Sequence, residues 1–175
     1  MNKEDKMKKI FALCVGLSAI SLTAQAAPTE WQGFFKGQCE LLAPGKGALY
    51  SFPMSLEVGS PVNNRADWIV TYGEGVQARP RNYTLVTVDT AKGHYEVDEN
   101  NGIIIDQYLF DNKFVSLFEF GDTKLNAEYE LHSDGSLDVE IISYTADKIR
   151  EEQVGPYMVS NYGGKRIQKC KLFKW

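Results

Sequence analysis

Histidine and cysteine are scarce in this sequence, with two His and three Cys among 175 residues. No pair falls in the C-x-x-C or H-x-x-x-H spacing of zinc sites, and His94 and His132 stand alone, so no metal site is assigned. There is no G-x-S-x-G elbow, and no motif in the sequence reveals a histidine placed to activate a serine or cysteine nucleophile. Neighbouring acids such as Asp98-Glu99 and Glu151-Glu152 carry no geometric meaning without a cleft. The chain is therefore not expected to be an enzyme, and neither catalytic residues nor a cofactor are assigned. Pro44-Gly45-Lys46-Gly47 lacks the G-K-[ST] continuation and following helix of a nucleotide loop, and reads as a turn. Low-complexity tracts and solenoid-period repeats are absent too, which excludes a repeat array.

Long hydrophobic runs are also missing apart from residues 10–22. Lys8-Lys9 precede that run and Ala24-Gln25-Ala26 close it, the layout of a secretory signal cleaved after Ala26 and too short for a stable membrane span. Cys14 lies inside the run, which argues against a lipoprotein anchor. The expected mature chain, residues 27–175, is long enough for one domain with a real core. Four lysines and two acids leave with the signal, so 19 basic and 23 acidic residues become 15 and 21, a net charge of -6. Such a surface repels nucleic acid and anionic lipid. Export to the periplasm or beyond is the expected location.

The remaining cysteines, Cys39 and Cys170, are expected to pair, as two cysteines in an exported protein usually do; an intermolecular bridge is the alternative.

What the sequence has in abundance is short β-rich segments divided by turn chemistry. Segments 83–89, 94–98, 103–110, 113–120, 124–132 and 136–145 are separated by Ala91-Lys92-Gly93, Asn100-Asn101-Gly102, Asp111-Asn112, Gly121-Asp122 and Ser133-Asp134-Gly135. Each separator offers a Gly, Asn or Asp that tolerates the positive φ of tight hairpin loops. Segments 31–42, 49–58 and 67–72 precede this meander and 166–175 follows it. Apolar and polar residues alternate along most of them, the mark of an antiparallel sheet with one dry face. Ile103-Ile104-Ile105 breaks the alternation, so one of these isoleucines is expected outside. Residues 146–154, with Asp147, Lys148, Arg150, Glu151, Glu152 and Gln153, lack β alternation and predict a short helix ended by Gly155-Pro156. Residues 157–164 read as an irregular loop.

These elements predict an all-β fold: an antiparallel up-and-down β-barrel of about ten strands with one short helix before the last. With ten alternating strands the first and last are antiparallel, so a Cys39–Cys170 bridge would staple the seam. A two-sheet sandwich is the structural alternative. A meandering barrel with Trp31-Gln32-Gly33 near its start, a late helix and a disulfide to the C-terminal strand resembles the lipocalin and calycin group. The order of Trp31 and Gly33 is the reverse of that group's first motif. The resemblance implies a central cavity for a small apolar ligand and identifies no functional residue.

Along the inward phase, Tyr72, Thr87, Ser116, Tyr129 and Ser143 interrupt the apolar residues, with Phe118 beside them. Small hydroxyls among apolar residues are what a ligand cavity offers, and a satisfied solid core is the alternative. Arg79 and Arg81 are placed to grip a carboxylate at the barrel mouth, or else are solvated surface. Ligand binding would require a cavity of ~300 Å³ or more. The competing expectation is a protein-binding module, an inhibitor or neutralising partner, contacting a basic protein through residues 146–164 with Glu151, Glu152, Tyr157 and Tyr162. A structural envelope role is the third.

Overall fold

The computed structural model describes residues 28–175; the expected signal segment lies outside the described residues. Ten strands follow one another: β1 (Gly33–Ala43), β2 (Gly47–Val58), β3 (Arg65–Tyr72), β4 (Arg79–Asp89), β5 (His94–Asp98), β6 (Ile104–Phe110), β7 (Lys113–Phe120), β8 (Thr123–Leu131), β9 (Ser136–Val154) and β10 (Tyr157–Lys174). Each pairs antiparallel with the next, and β1 pairs with β10 to close the barrel. The turns form where positive φ is tolerated: Gly93, Asn100, Gly102, Asp111, Gly121 and Gly135 all adopt it.

The alternation predicted from sequence sets the two faces. Phe35, Cys39, Met54, Leu56, Val70, Leu85, Phe114, Leu137 and Leu172 point inward and are buried. Lys36, Glu40, Glu57, Asp67 and Lys169 lie on the outside, a polarity opposite to that of a lipid-embedded barrel. Ile104 is the exposed member of the isoleucine triplet.

Trp31 is not in a strand. It belongs to a 3-10 turn, Thr29–Trp31, and is fully buried among the aromatics at one end of the barrel. Its ring centroid lies 4.7 Å from that of Phe114, edge to face, and 6.2 Å from that of Trp68. Trp68 in turn meets Phe114 and Tyr129 edge to face, at 5.8 and 5.3 Å. This end is packed solid.

At the seam Cys39 and Cys170 stand directly opposite and are joined by a disulfide, with Cα atoms 3.9 Å apart. Met54 packs its sulfur 3.5 Å from both. A Cβ at Gly37 would lie 2.0 Å from the Lys171 carbonyl oxygen, so β1 approaches β10 closely only because residue 37 has no side chain.

The expected helix does not form. Residues 146–154 continue β9, and the expected loop 157–164 is the start of β10. Gly155, at φ 58°, and Pro156 make a two-residue turn with Gly first, so Val154 pairs with Tyr157. Lys148 and Glu151 do pair three apart, a spacing that imitates a helix. Here the same spacing works along a ribbon, where Glu151 faces Ser160 across the strands and accepts its hydroxyl hydrogen at 2.8 Å.

β9 leaves β8 after Thr145, and β10 meets β1 only from Ile167 onward. Between these points the two strands run on together as a free arm beyond the barrel wall. Lys165 anchors its root, its ammonium 3.0 Å from the Asp122 carboxylate and 2.6 Å from the Thr123 hydroxyl.

Candidate functional site: a half-filled barrel

The aromatic plug fills only one end. Toward the other end, where β3, β5 and β7 finish and β4, β6 and β8 begin, the barrel holds a half-open cavity of about 130 Å³. Trp68, Tyr129, Val97 and Ala127 line it from the packed end, and Tyr72, Tyr83, Glu99, Ile105, Phe118, Leu125 and Ile141 form walls and rim. Gln107 and Ser116 are its buried polar residues.

The position of Gln107 follows from the strand pairing. β6 and β7 are in register only from Phe110↔Lys113 to Tyr108↔Val115, after which the ladder ends. Gln107 and Ser116 are the next residues on each strand, and their side chains meet across the parted backbones, Ser116 donating its hydroxyl hydrogen to Gln107 Oε1 at 3.3 Å. Gln107 is 2 % exposed, and its Nε2 has no hydrogen-bond partner. An amide so placed keeps a desolvated donor with nothing to receive it.

Burial pushes the Tyr129 hydroxyl well above its ordinary value, against a smaller opposing hydrogen bond from Trp68. The cavity therefore disfavours net charge. Tyr72 is also raised by burial, partly offset by Gln168 and Arg81; Tyr83 is raised by burial and then by Glu99, with Arg81 opposing.

Of the residues expected to bind a ligand, Tyr72, Ser116, Phe118 and Tyr129 are brought together here. Thr87 is not: it faces inward but lies near the plugged end, buried and apart from the cavity. Ser143 also falls outside; its hydroxyl donates to the Arg166 carbonyl at the root of the arm. Arg79 donates to the Val76 and Ala78 carbonyls of its own loop. Arg81 shares the phase of Tyr83, and its charge reaches both Tyr72 and Tyr83, so it belongs to the rim. The cavity falls short of the ~300 Å³ that ligand binding is expected to require, which counts against a carrier of lipid-sized molecules and leaves room for a single ring at most.

A larger hollow, about 520 Å³, lies on the outer wall between β1, β2 and the loop after β3. Its lysine is already engaged, with Lys36 Nζ 3.4 Å from the centroid of the Trp175 ring. On the outer face of β5 and β6, His94, Glu96 and Asp106 place three potential ligand atoms within 4.8 Å of one another. His94 there is held by Asp106 at 2.6 Å and stacks on Tyr108. His132 likewise meets Asp138 at 2.7 Å.

No family model matches the chain, and no curated protein is significantly similar to it.

Proposed function

We propose that the protein is an extracytoplasmic binding module that takes a small, uncharged, ring-sized molecule into the half-open end of its barrel. The observation that carries this reading is the buried Gln107 amide, an unpartnered donor on a residue that lines the cavity. Trp31 Nε1 and Thr87 Oγ1 are also buried without a partner, at the packed end, so what singles out Gln107 is its place in the cavity wall. The disulfide fits an oxidising compartment, and the leading segment ending in Ala24-Gln25-Ala26 supports export to the periplasm. Membership of the lipocalin and calycin group belongs to the same proposal. Barrel closure favours it, while ten strands and the missing helix depart from the eight-stranded lipocalin pattern.

Titration with toluene, followed by backbone and side-chain NMR, tests the reading. Saturable shifts centred on Trp68, Gln107, Ser116 and Phe118 are expected, and they should vanish in Ala127→Leu, which fills the cavity. Shifts that are absent, or that persist in the filled variant, would contradict it.

A second reading, binding of a protein partner through the arm, is favoured by the exposure of Val154, Tyr157, Met158 and Val159 around its tip. Lys148 pairs with Glu151 and Arg150 with Glu152, so the arm's charges are largely matched internally. Contact through the arm would then be apolar rather than driven by attraction to a basic protein. Crosslinking at a cysteine placed at Tyr157, if it captures one defined partner that Met158→Asp abolishes, would move the assignment to the arm.

A further inference from the structure

We propose that the cavity's ligand is a single-ring aromatic compound bearing an uncharged hydrogen-bond acceptor, seated with that acceptor on the Gln107 side-chain amide. This rests on the reading of the cavity as the binding site. The polar inventory decides the acceptor. Ser116 already occupies Gln107 Oε1, so the group of this cavity-lining residue left without a partner is the buried amide nitrogen, a donor. A ligand that offers only a donor would leave it unsatisfied, and a purely apolar one would seal it in without a partner. A carbonyl or comparable oxygen resolves both.

The walls decide the rest. Trp68, Tyr129 and Phe118 present aromatic surface to the same small space, which favours a flat ring with edge or offset contacts. Charge is unwelcome inside because the wall is apolar and buried, and burial disfavours the ionised form of Tyr129; at the rim the Glu99 carboxylate and the Arg81 guanidinium oppose each other and select neither sign. Gln107 also sits where the β6–β7 ladder parts.

The test compares acetophenone with α-methylstyrene, a near-isostere in which a methylene replaces the carbonyl oxygen. Both are titrated into the disulfide-bonded protein while the side-chain amide resonances of Gln107 are observed. Acetophenone is expected to bind about fivefold to tenfold more tightly and to shift those resonances downfield, and Gln107→Leu is expected to erase the preference between the two compounds. Equal affinity of the two compounds for the unaltered protein, or an undisturbed Gln107 amide with acetophenone bound, would overturn the inference and leave the cavity reading standing. If neither compound shifts any cavity resonance, the cavity reading falls and the inference with it. The comparison on the unaltered protein decides the matter even where Gln107→Leu does not fold.

Discussion

Trp31 sits outside every strand, yet it is fully buried against Phe114 and Trp68. Removing its side chain leaves a void among rings that cannot collapse, since each is pinned by a different strand. Trp31→Ala should lower the free energy of unfolding by about 3–5 kcal/mol, read as a shifted midpoint in urea at unchanged slope. The tyrosines make a second prediction. Tyr72, Tyr83, Tyr95 and Tyr129 are all raised in the folded chain, chiefly by burial. Each therefore stays protonated when an unfolded tyrosine would ionise, so the folded state holds more protons at high pH and loses stability as pH climbs past the ordinary value of 10.0. Alkaline melting curves should show phenolate absorbance appearing together with unfolding for these residues. Gradual ionisation ahead of unfolding would contradict their burial. Alternation read from sequence places Tyr72, Thr87, Ser116, Tyr129 and Ser143 on the inward phase, but a period of two says nothing about height along the barrel axis. Thr87 falls at the plugged end and Ser143 at the arm for that reason. Gln107 is not legible in the sequence because the run Ile103-Ile104-Ile105 obscures the phase of β6; the phase set by Leu109 and Phe114 points it inward.

At the scale of elements, the arm separates what the hydrophobic pattern dictates from what it leaves open. From residue 146 onward neither strand has a barrel wall on its other side, so no dry face imposes β alternation. A segment rich in Lys, Arg and Glu then reads as helical, and only the Gly155-Pro156 turn and pairing to residues 157–162 reveal the ribbon. Two-stranded ribbons are at best marginally stable alone. This one leans on its root, where Lys165 bridges to Asp122 and Thr123, and Lys124 lies 4.2 Å from the centroid of the Tyr162 ring. Replacing residues 147–161 with Asn-Gly should leave the barrel's melting temperature within a few degrees, because the arm contributes nothing to the buried core. A large drop in calorimetry would mean that the arm supports the barrel after all.

For the molecule as a whole, closure is the central structural fact, and the seam between the first and last strands fixes it. The disulfide spans 131 residues of sequence. Chain-entropy reasoning gives it about 5 kcal/mol, so Cys39→Ala with Cys170→Ala should unfold at markedly lower denaturant while remaining a barrel in circular dichroism. Acid should loosen the molecule as well. In Glu128 the hydrogen bonds from Asn126 and then Lys113 hold the carboxyl below its ordinary 4.5; in Asp138 burial pushes upward from 3.8, but hydrogen bonds from Lys171 and His132 more than reverse it. Depressed folded values mean that the unfolded chain binds more protons, so this stabilisation is present above the ordinary values and is lost as pH falls through the depressed ones. Stability measured from pH 5 downward should fall accordingly, and Lys113→Met should flatten part of that slope. The closed ten-stranded order and the Cys39–Cys170 pairing were legible because turn chemistry and alternation repeat along the chain. The size of the cavity was not legible, because it depends on where Trp31 and Phe114 lie along the axis.

The most direct test of the proposed cavity function is a crystal soaked with bromobenzene and measured for anomalous scattering at the bromine edge. One dominant peak is expected inside the barrel, between Trp68, Gln107 and Phe118. A barrel without such a peak, in crystals where bromobenzene occupies other surfaces, would contradict it.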